Sequence, residues 1–283
     1  MQTAVIGAGL MGAEIALVQA LAGFEVRLID RTPEALALAL QRLAQVIDKA
    51  IVRGELDAQQ RTGLLAHIRP QVGMDGLVAC EWLTEAVFED LDLKRTVLAE
   101  AALATPDDCL IASNTSTLPI AVLAAALPAG RRGNFIGSHY FSPVSRMPLV
   151  EVIPGFETHD AITERMTALA RTVGKTPIRI KDVPGFAVNR MLHAFIIEAV
   201  RLAEEGVASP EDLDTACRLG LGHPIGPFAL MDAVTSSLCI QAQEIMQDAY
   251  GERFRPPPLL KQRVAAGYVG GRGRPGWLTK GPR

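Results

Sequence analysis

From Thr3 to Ile180, short apolar runs of strand length alternate with longer stretches of helical period. The runs are Thr3–Ile6, Glu25–Ile29, Trp82–Ala86, Cys109–Ala112, Phe135–His139, Leu149–Ile153 and Ile178–Ile180. Between them lie the periodic stretches Leu10–Ala22, Pro33–Val52, Leu91–Leu103 and Ala161–Thr172. Strands separated by helices form crossover units, so this part of the chain predicts an α/β fold: a doubly wound, mostly parallel sheet covered on both faces. After Ile180 the strand signal stops. Lys181-Asp-Val-Pro-Gly185 reads as a turn, and helices are expected at Phe186–Glu205, Pro210–Leu219, Phe228–Tyr250 and Pro257–Ala266. Gly206 suits a helix end, and Ser209-Pro210 an N-cap followed by the first helical position. Two domains follow, residues 1–182 and an all-α domain of residues 183–283, with a Gly- and Arg-rich end expected to be mobile.

Composition removes several function classes. With 49% apolar residues in 283, the chain can fill a sizeable core. A formal net charge of −3 offers no basic stripe for nucleic acid. The longest purely apolar run, Ile120–Leu127, is too short to cross a bilayer, and the strand beginning at Thr3 leaves no room for a signal peptide. Cys80, Cys109, Cys217 and Cys239 lack metal-ligand spacing, so reduced thiols in a cytoplasmic protein and no metal site are expected.

Gly7-Ala-Gly-Leu-Met-Gly12 stands directly after the first strand and opens a helix. Gly7 permits the tight turn, Gly9 lets backbone approach a pyrophosphate, and Gly12 lets helix and sheet pack closely. The helix start at Leu10 and Met11 offers N–H groups and a positive dipole end to phosphates. Asp30, ending the second strand, is placed to accept from both ribose hydroxyls and so to select NAD. An ordinary strand–helix turn with a solvated Asp would share the pattern. Arg31 could stack on adenine or hold a 2′-phosphate, so NADP use stays open. These features make the first domain a Rossmann-type nucleotide binder.

Ser113-Asn-Thr-Ser116 follows another strand, at the edge of the sheet where ligands bind. His139 ends the strand Phe135–His139, and Glu151 lies twelve residues on, inside the apolar strand Pro148-Leu-Val-Glu-Val-Ile153. A carboxylate there needs a partner, and the histidine at the neighbouring strand's end is the obvious one. Such a pair can take an alcohol proton as hydride leaves the same carbon, with the carboxylate fixing the tautomer. A satisfied core histidine would show the same spacing. His67, His159, His193 and His223 read as structural.

These residues carry a resemblance. Gly7–Gly12, Ser113-Asn-Thr-Ser116, His139-Tyr-Phe-Ser-Pro143, Leu149-Val-Glu-Val152, Pro184-Gly-Phe-Ala-Val-Asn-Arg190 and Gly222-His-Pro-Ile-Gly-Pro227 occur in one order. The chain resembles the 3-hydroxyacyl-CoA dehydrogenase family, above all its short stand-alone 3-hydroxybutyryl-CoA dehydrogenases. The resemblance implies a homodimer that interconverts a (3S)-3-hydroxyacyl-CoA and the 3-oxoacyl-CoA with NAD, a step of fatty-acid β-oxidation. His139 would be the catalytic base and Glu151 its orienting carboxylate. Ser116 and Asn189 would hold the reacting oxygen. Glu89 would lie near the nicotinamide ribose, and Lys94 would supply a further cofactor contact. Arg53 would face the CoA phosphate, Ser142 would bond to cofactor or backbone, and Arg272 falls where a family lysine reaches the cofactor.

The sequence also departs from the family. Ser142 replaces the more usual Asn, and the closing segment Gly270-Gly-Arg-Gly-Arg-Pro-Gly-Trp277 carries an extra proline. Asp232-Ala-Val-Thr-Ser-Ser237 replaces a more usual glycine-leucine-aspartate, which bears on packing or dimer contacts. Two alternatives remain at this stage. One is a dehydrogenase of a free hydroxy acid (gulonate- or carnitine-type); the other is a non-catalytic NAD-binding protein of the crystallin kind.

Overall fold

The computed structural model describes residues 1–279. The chain divides into two compact units, Met1–Val183 and a second that begins at Pro184.

The first unit is built on one eight-stranded sheet of order β3-β2-β1-β4-β5-β6-β7-β8. Its strands are β1 (Gln2–Ile6), β2 (Glu25–Asp30), β3 (Ile68–Val72), β4 (Trp82–Glu85), β5 (Leu110–Ser113), β6 (Phe135–Tyr140), β7 (Leu149–Pro154) and β8 (Thr176–Arg179). All neighbours are parallel except β6 and β7. The order reverses between β2 and β4, on either side of β1. A crevice therefore opens at the carboxyl ends of these strands. The helices are α1 (Leu10–Leu21), α2 (Pro33–Val52), α3 (Gln60–Ala66), α4 (Leu91–Ala104), α5 (Ile120–Ala124), α6 (Ala129–Arg132) and α7 (Asp160–Thr172).

Local chemistry sets the elements around the crevice. Thr32 caps α2 by accepting from Ala35 N at 3.2 Å, with Pro33 in the first turn. Leu36, Ala39, Leu43, Ile47 and Ala50 form its buried stripe. Asp90 caps α4 by accepting from Leu93 N at 2.8 Å. Asp182 caps α5 from a distance, accepting from Ile120 N and Ala121 N at 2.9 and 2.8 Å. Strand β3 escapes the pattern reading. Its sequence Ile-Arg-Pro-Gln-Val is polar and interrupted by Pro70, which an edge strand tolerates because one side of it makes no ladder.

The second unit is helical: α8 (Val188–Glu204), α9 (Pro210–Gly220), α10 (Pro227–Val234), α11 (Ser236–Tyr250) and α12 (Pro258–Ala265). The single helix expected over Phe228–Tyr250 is two. Thr235, at φ 107, breaks it, and its hydroxyl then caps α11 by accepting from Leu238 N. Apolar spacing continues through both pieces and cannot reveal such a break. Asp214 of α9 caps α10, accepting from Phe228 N at 2.8 Å and Ala229 N at 2.9 Å. His193 is buried in α8, and burial pushes its imidazole down to about 4, which fits the structural role expected for it.

The end of the chain is also corrected, as far as the described residues go. Residues 276–279 are anchored rather than mobile. Asp232, 7% exposed, accepts from Trp277 N, Leu278 N, Thr279 N and Thr279 Oγ1 at 2.7–3.1 Å. Trp277 packs on Phe228 at 4.9 Å between ring centroids and lies under the Arg263 guanidinium at 4.3 Å. Asp232→Ala strands several buried N–H groups and is expected to lower stability by about 3 kcal/mol. Urea denaturation measures it. An unchanged midpoint would show that the anchor contributes nothing.

Candidate active site

The glycine turn after β1 has the geometry its sequence implies. Gly7 sits at φ +100, and a Cβ there would meet Ala86 O at 2.6 Å. A Cβ on Gly12 would overlap the Gly7 carbonyl, whereas at Gly9 it would meet nothing within 4 Å. The backbone at Gly9 is therefore open to approach. Leu10, Met11 and Gly12 form the first turn of α1, whose N–H groups have no intrahelical acceptor. Asp30 is fixed beside them: Oδ2 accepts from Ala8 N and Oδ1 from Arg31 N, both at 2.7 Å. Gly7, Gly9, Leu10, Met11, Asp30 and Arg31 line one cavity of about 790 Å³. Its other walls include the apolar Leu38, Val87 and Leu93, and Arg42 of α2 adds a cation that sequence reasoning missed. An apolar slot with a carboxylate at one end and an open helix N-terminus fits a dinucleotide.

Next to this cavity, at the carboxyl ends of β4 and β5, lies a buried ionic cluster. Lys94 Nζ is 2.7 Å from Glu85 Oε1 and 3.3 Å from Glu89 Oε2, and it also donates to Val87 O at 3.2 Å. Glu89 Oε1 gathers donors from one turn: Thr115 Oγ1 at 2.6 Å, Ser116 N at 2.7 Å, Ser116 Oγ at 3.2 Å and Thr117 N at 2.8 Å. Burial alone would raise the Glu89 carboxyl. The Lys94 charge and the hydrogen bonds from Thr115, Thr117 and Ser116 outweigh it and hold the group below the usual carboxylate range. Ser116 and Glu89 are thus brought together. Lys94 is 1% exposed, with its ammonium directed at these two carboxylates.

His139 and Glu151 face each other across the one antiparallel pair of the sheet, as direct partners in the β6–β7 register. His139 Nδ1 lies 2.7 Å from Glu151 Oε2, with the histidine 5% exposed and the glutamate fully buried. Phe141 packs on the imidazole at 4.5 Å between ring centroids. Asn114 ties the β5 end to this strand by accepting from Tyr140 N at 2.9 Å. The loop beyond is pinned as well. Glu14 of α1 accepts from Ser145 N at 2.8 Å, and Lys175 donates to Val144 O and to Met147 O. Ser142 lies in that loop, exposed, before a cis bond to Pro143. The sequence points to neither Glu14 nor Lys175, and to Asn114 only as part of the Ser113–Ser116 segment. Glu14 is nonetheless legible as the one charged residue on a mostly apolar helix.

Comparison with known proteins decides the family. The model of the 3-hydroxyacyl-CoA dehydrogenase NAD-binding domain matches residues 2–183, and that of the C-terminal domain matches residues 185–280. The chain belongs to the 3-hydroxyacyl-CoA dehydrogenase family. A probable 3-hydroxybutyryl-CoA dehydrogenase of Deinococcus radiodurans is 36% identical over 95% of this chain and 96% of its own length. One from Bacillus subtilis is also 36% identical, over 95% and 93%. The crystal structure of (S)-3-hydroxybutyryl-CoA dehydrogenase from Ralstonia eutropha superposes with a TM-score of 0.93 at 36% identity, covering 99% of both chains. The family's NAD-binding domain identifies NAD as the cofactor of this dehydrogenase.

Resemblance to this dehydrogenase family also points to Arg53, Asn189 and Arg272. Arg53 follows α2 and is exposed, its guanidinium bonded at 2.7 Å through Nε and Nη2 to the two oxygens of Glu55. An incoming phosphate would have to compete with that carboxylate. Asn189 stands in the first turn of α8, and Arg272 is exposed in the loop after α12; both belong to the second unit. Among the described residues no cluster of His, Cys, Asp or Glu could hold a metal, and no helix is long and apolar enough to cross a membrane.

Proposed function

We propose that the dehydrogenase reversibly oxidises (3S)-3-hydroxyacyl-CoA thioesters, of short chain such as 3-hydroxybutyryl-CoA, to the 3-oxoacyl-CoA. The observation that carries this reading is the buried His139–Glu151 pair at 2.7 Å, on the same sheet as the nucleotide cleft. The names borne by the relatives support the substrate class.

Bound NAD supplies the hydride acceptor. Glu151 accepts from Nδ1–H of His139 and thereby assigns proton exchange to Nε2. In oxidation Nε2 takes the proton of the 3-hydroxyl, and the resulting imidazolium is stabilised by the Glu151 charge. In reduction the same nitrogen returns the proton to the oxygen on C3. Ser116 and Asn189 donate to that oxygen, where negative charge develops. Glu89 holds the Ser116 amide in place, and the Ser116 hydroxyl turns its proton from Glu89 to that oxygen. Asp30 takes the ribose hydroxyls, and Arg53 meets the CoA phosphate.

The test is NADH oxidation by the purified chain with acetoacetyl-CoA, with free acetoacetate and with NADPH in parallel. Rapid turnover of the thioester with NADH, and little with acetoacetate, is the expected result. Preference for a free acid would contradict the reading. We also place the protein in the cytoplasm, on its four unpaired cysteines, and as a homodimer, on the exposed Met191, Leu219, Leu221 and Leu238 of the helical unit. Light scattering at the mass of one chain would contradict the dimer, and recovery in a membrane or secreted fraction would contradict the location.

A further inference from the structure

Glu85 is the last residue of β4, fully buried at the sheet's carboxyl edge, and the mechanism above gives it no part. Burying a carboxylate is costly unless every lone pair is used. Here they are used for one purpose. Oε1 accepts from Lys94 Nζ at 2.7 Å and from Val87 N at 2.8 Å, while Oε2 accepts from Ser113 Oγ at 2.6 Å. Its backbone carbonyl accepts from Asn114 N at 2.7 Å. Glu85 thus touches both routes to Ser116. Ser113 and Asn114 begin the Ser113–Ser116 segment, and Ser113 is the Cα partner of Glu85 across β4 and β5. Lys94 is the ammonium that reaches Glu89, and Glu89 binds the far side of the same segment.

Two carboxylates share this one ammonium. Glu85 has the shorter contact, 2.7 Å against 3.3 Å, so it sets where Nζ sits. Glu89 then keeps Oε1 for the Thr115–Thr117 turn and offers only Oε2 to the lysine. Without the charge on Glu85, Lys94 would be drawn wholly to Glu89 and compete with that turn. We infer that Glu85 is a positioning residue for the dehydrogenase reaction: through Lys94 and Ser113 it fixes the turn that carries the Ser116 hydroxyl. The inference rests on the functional reading above for the use of Ser116 in catalysis.

The test is Glu85→Gln, which keeps the shape and removes the charge, made in the full chain alone and together with Ser116→Ala. The amide protons of Ser116 and Thr117, which donate to Glu89, are followed by hydrogen exchange, a readout independent of activity. Their exchange should accelerate about tenfold, with global unfolding unchanged. The kcat for acetoacetyl-CoA should fall about tenfold, with KM for NADH moved by less than about threefold. In the Ser116→Ala background the further loss should be below about twofold, because the group being positioned is gone. Equal losses in both backgrounds, or unchanged exchange at Ser116 and Thr117, overturn the inference. Should Glu85→Gln fail to fold, Ser113→Ala keeps every charge and should show the same pattern with a loss of about threefold. If the wild-type chain does not reduce acetoacetyl-CoA, the functional reading fails by itself. Exchange at the two amides then still decides whether Glu85 holds the turn.

Discussion

Glu151→Gln is expected to lower kcat for acetoacetyl-CoA reduction about a hundredfold, with KM for NADH nearly unmoved. The substitution changes one atom of a side chain with no solvent exposure, so the loss reports chemistry rather than packing. Glu151 holds His139 Nδ1 at 2.7 Å across a strand pair whose register places the two residues directly opposite. A carboxylate can only accept, so it requires the proton on Nδ1 and leaves proton exchange to Nε2. An amide can present its NH₂ instead and favour the wrong tautomer, and it carries no charge to balance the imidazolium. Because the two residues act as a unit, combining Glu151→Gln with His139→Gln should cost no more than His139→Gln alone. Steady-state kinetics on the single and double variants measures both effects. A Glu151→Gln enzyme within a factor of about three of wild type would show that orientation of His139 comes from elsewhere.

Much of this site is legible in the sequence because it depends on short-range signals. The Gly7–Gly12 turn follows its strand directly, and Asp30 ends the next one, so their convergence on one cavity follows from the strand–helix–strand unit itself. The His139–Glu151 pair is legible for a different reason. A charged residue inside an apolar strand demands a partner, and the nearest candidate is at the end of the preceding strand.

What escapes the sequence is mostly long-range. The exception is Lys94, drawn inward by Glu85 and Glu89 from the strand end and turn just before its helix, where helical spacing alone predicts a solvated lysine. Glu14 and Lys175 hold the loop after His139 from elements far away in the chain, 131 residues away in the case of Glu14 and Ser145. The break at Thr235, where Ser236 N donates to Val269 O, and the capture of residues 277–279 by the Asp232 carboxylate are likewise invisible to periodicity, because both involve hydrogen bonds between distant segments. The polar edge strand β3 lacks the alternation that identifies strands, and it pairs only on its β2 side.

The central claim is that His139 moves the proton of the reacting oxygen. It is tested most directly by His139→Gln, assayed as acetoacetyl-CoA-dependent NADH oxidation at saturating substrate. The glutamine retains a polar side chain of similar reach and can still bond to Glu151, but it cannot exchange a proton near neutrality. The account predicts that kcat falls about ten-thousandfold, while NADH binding, followed by its fluorescence, stays within about twofold of wild type. A variant that still turns over within about tenfold of wild type would contradict it, since a bystander histidine is the only role such a result would leave.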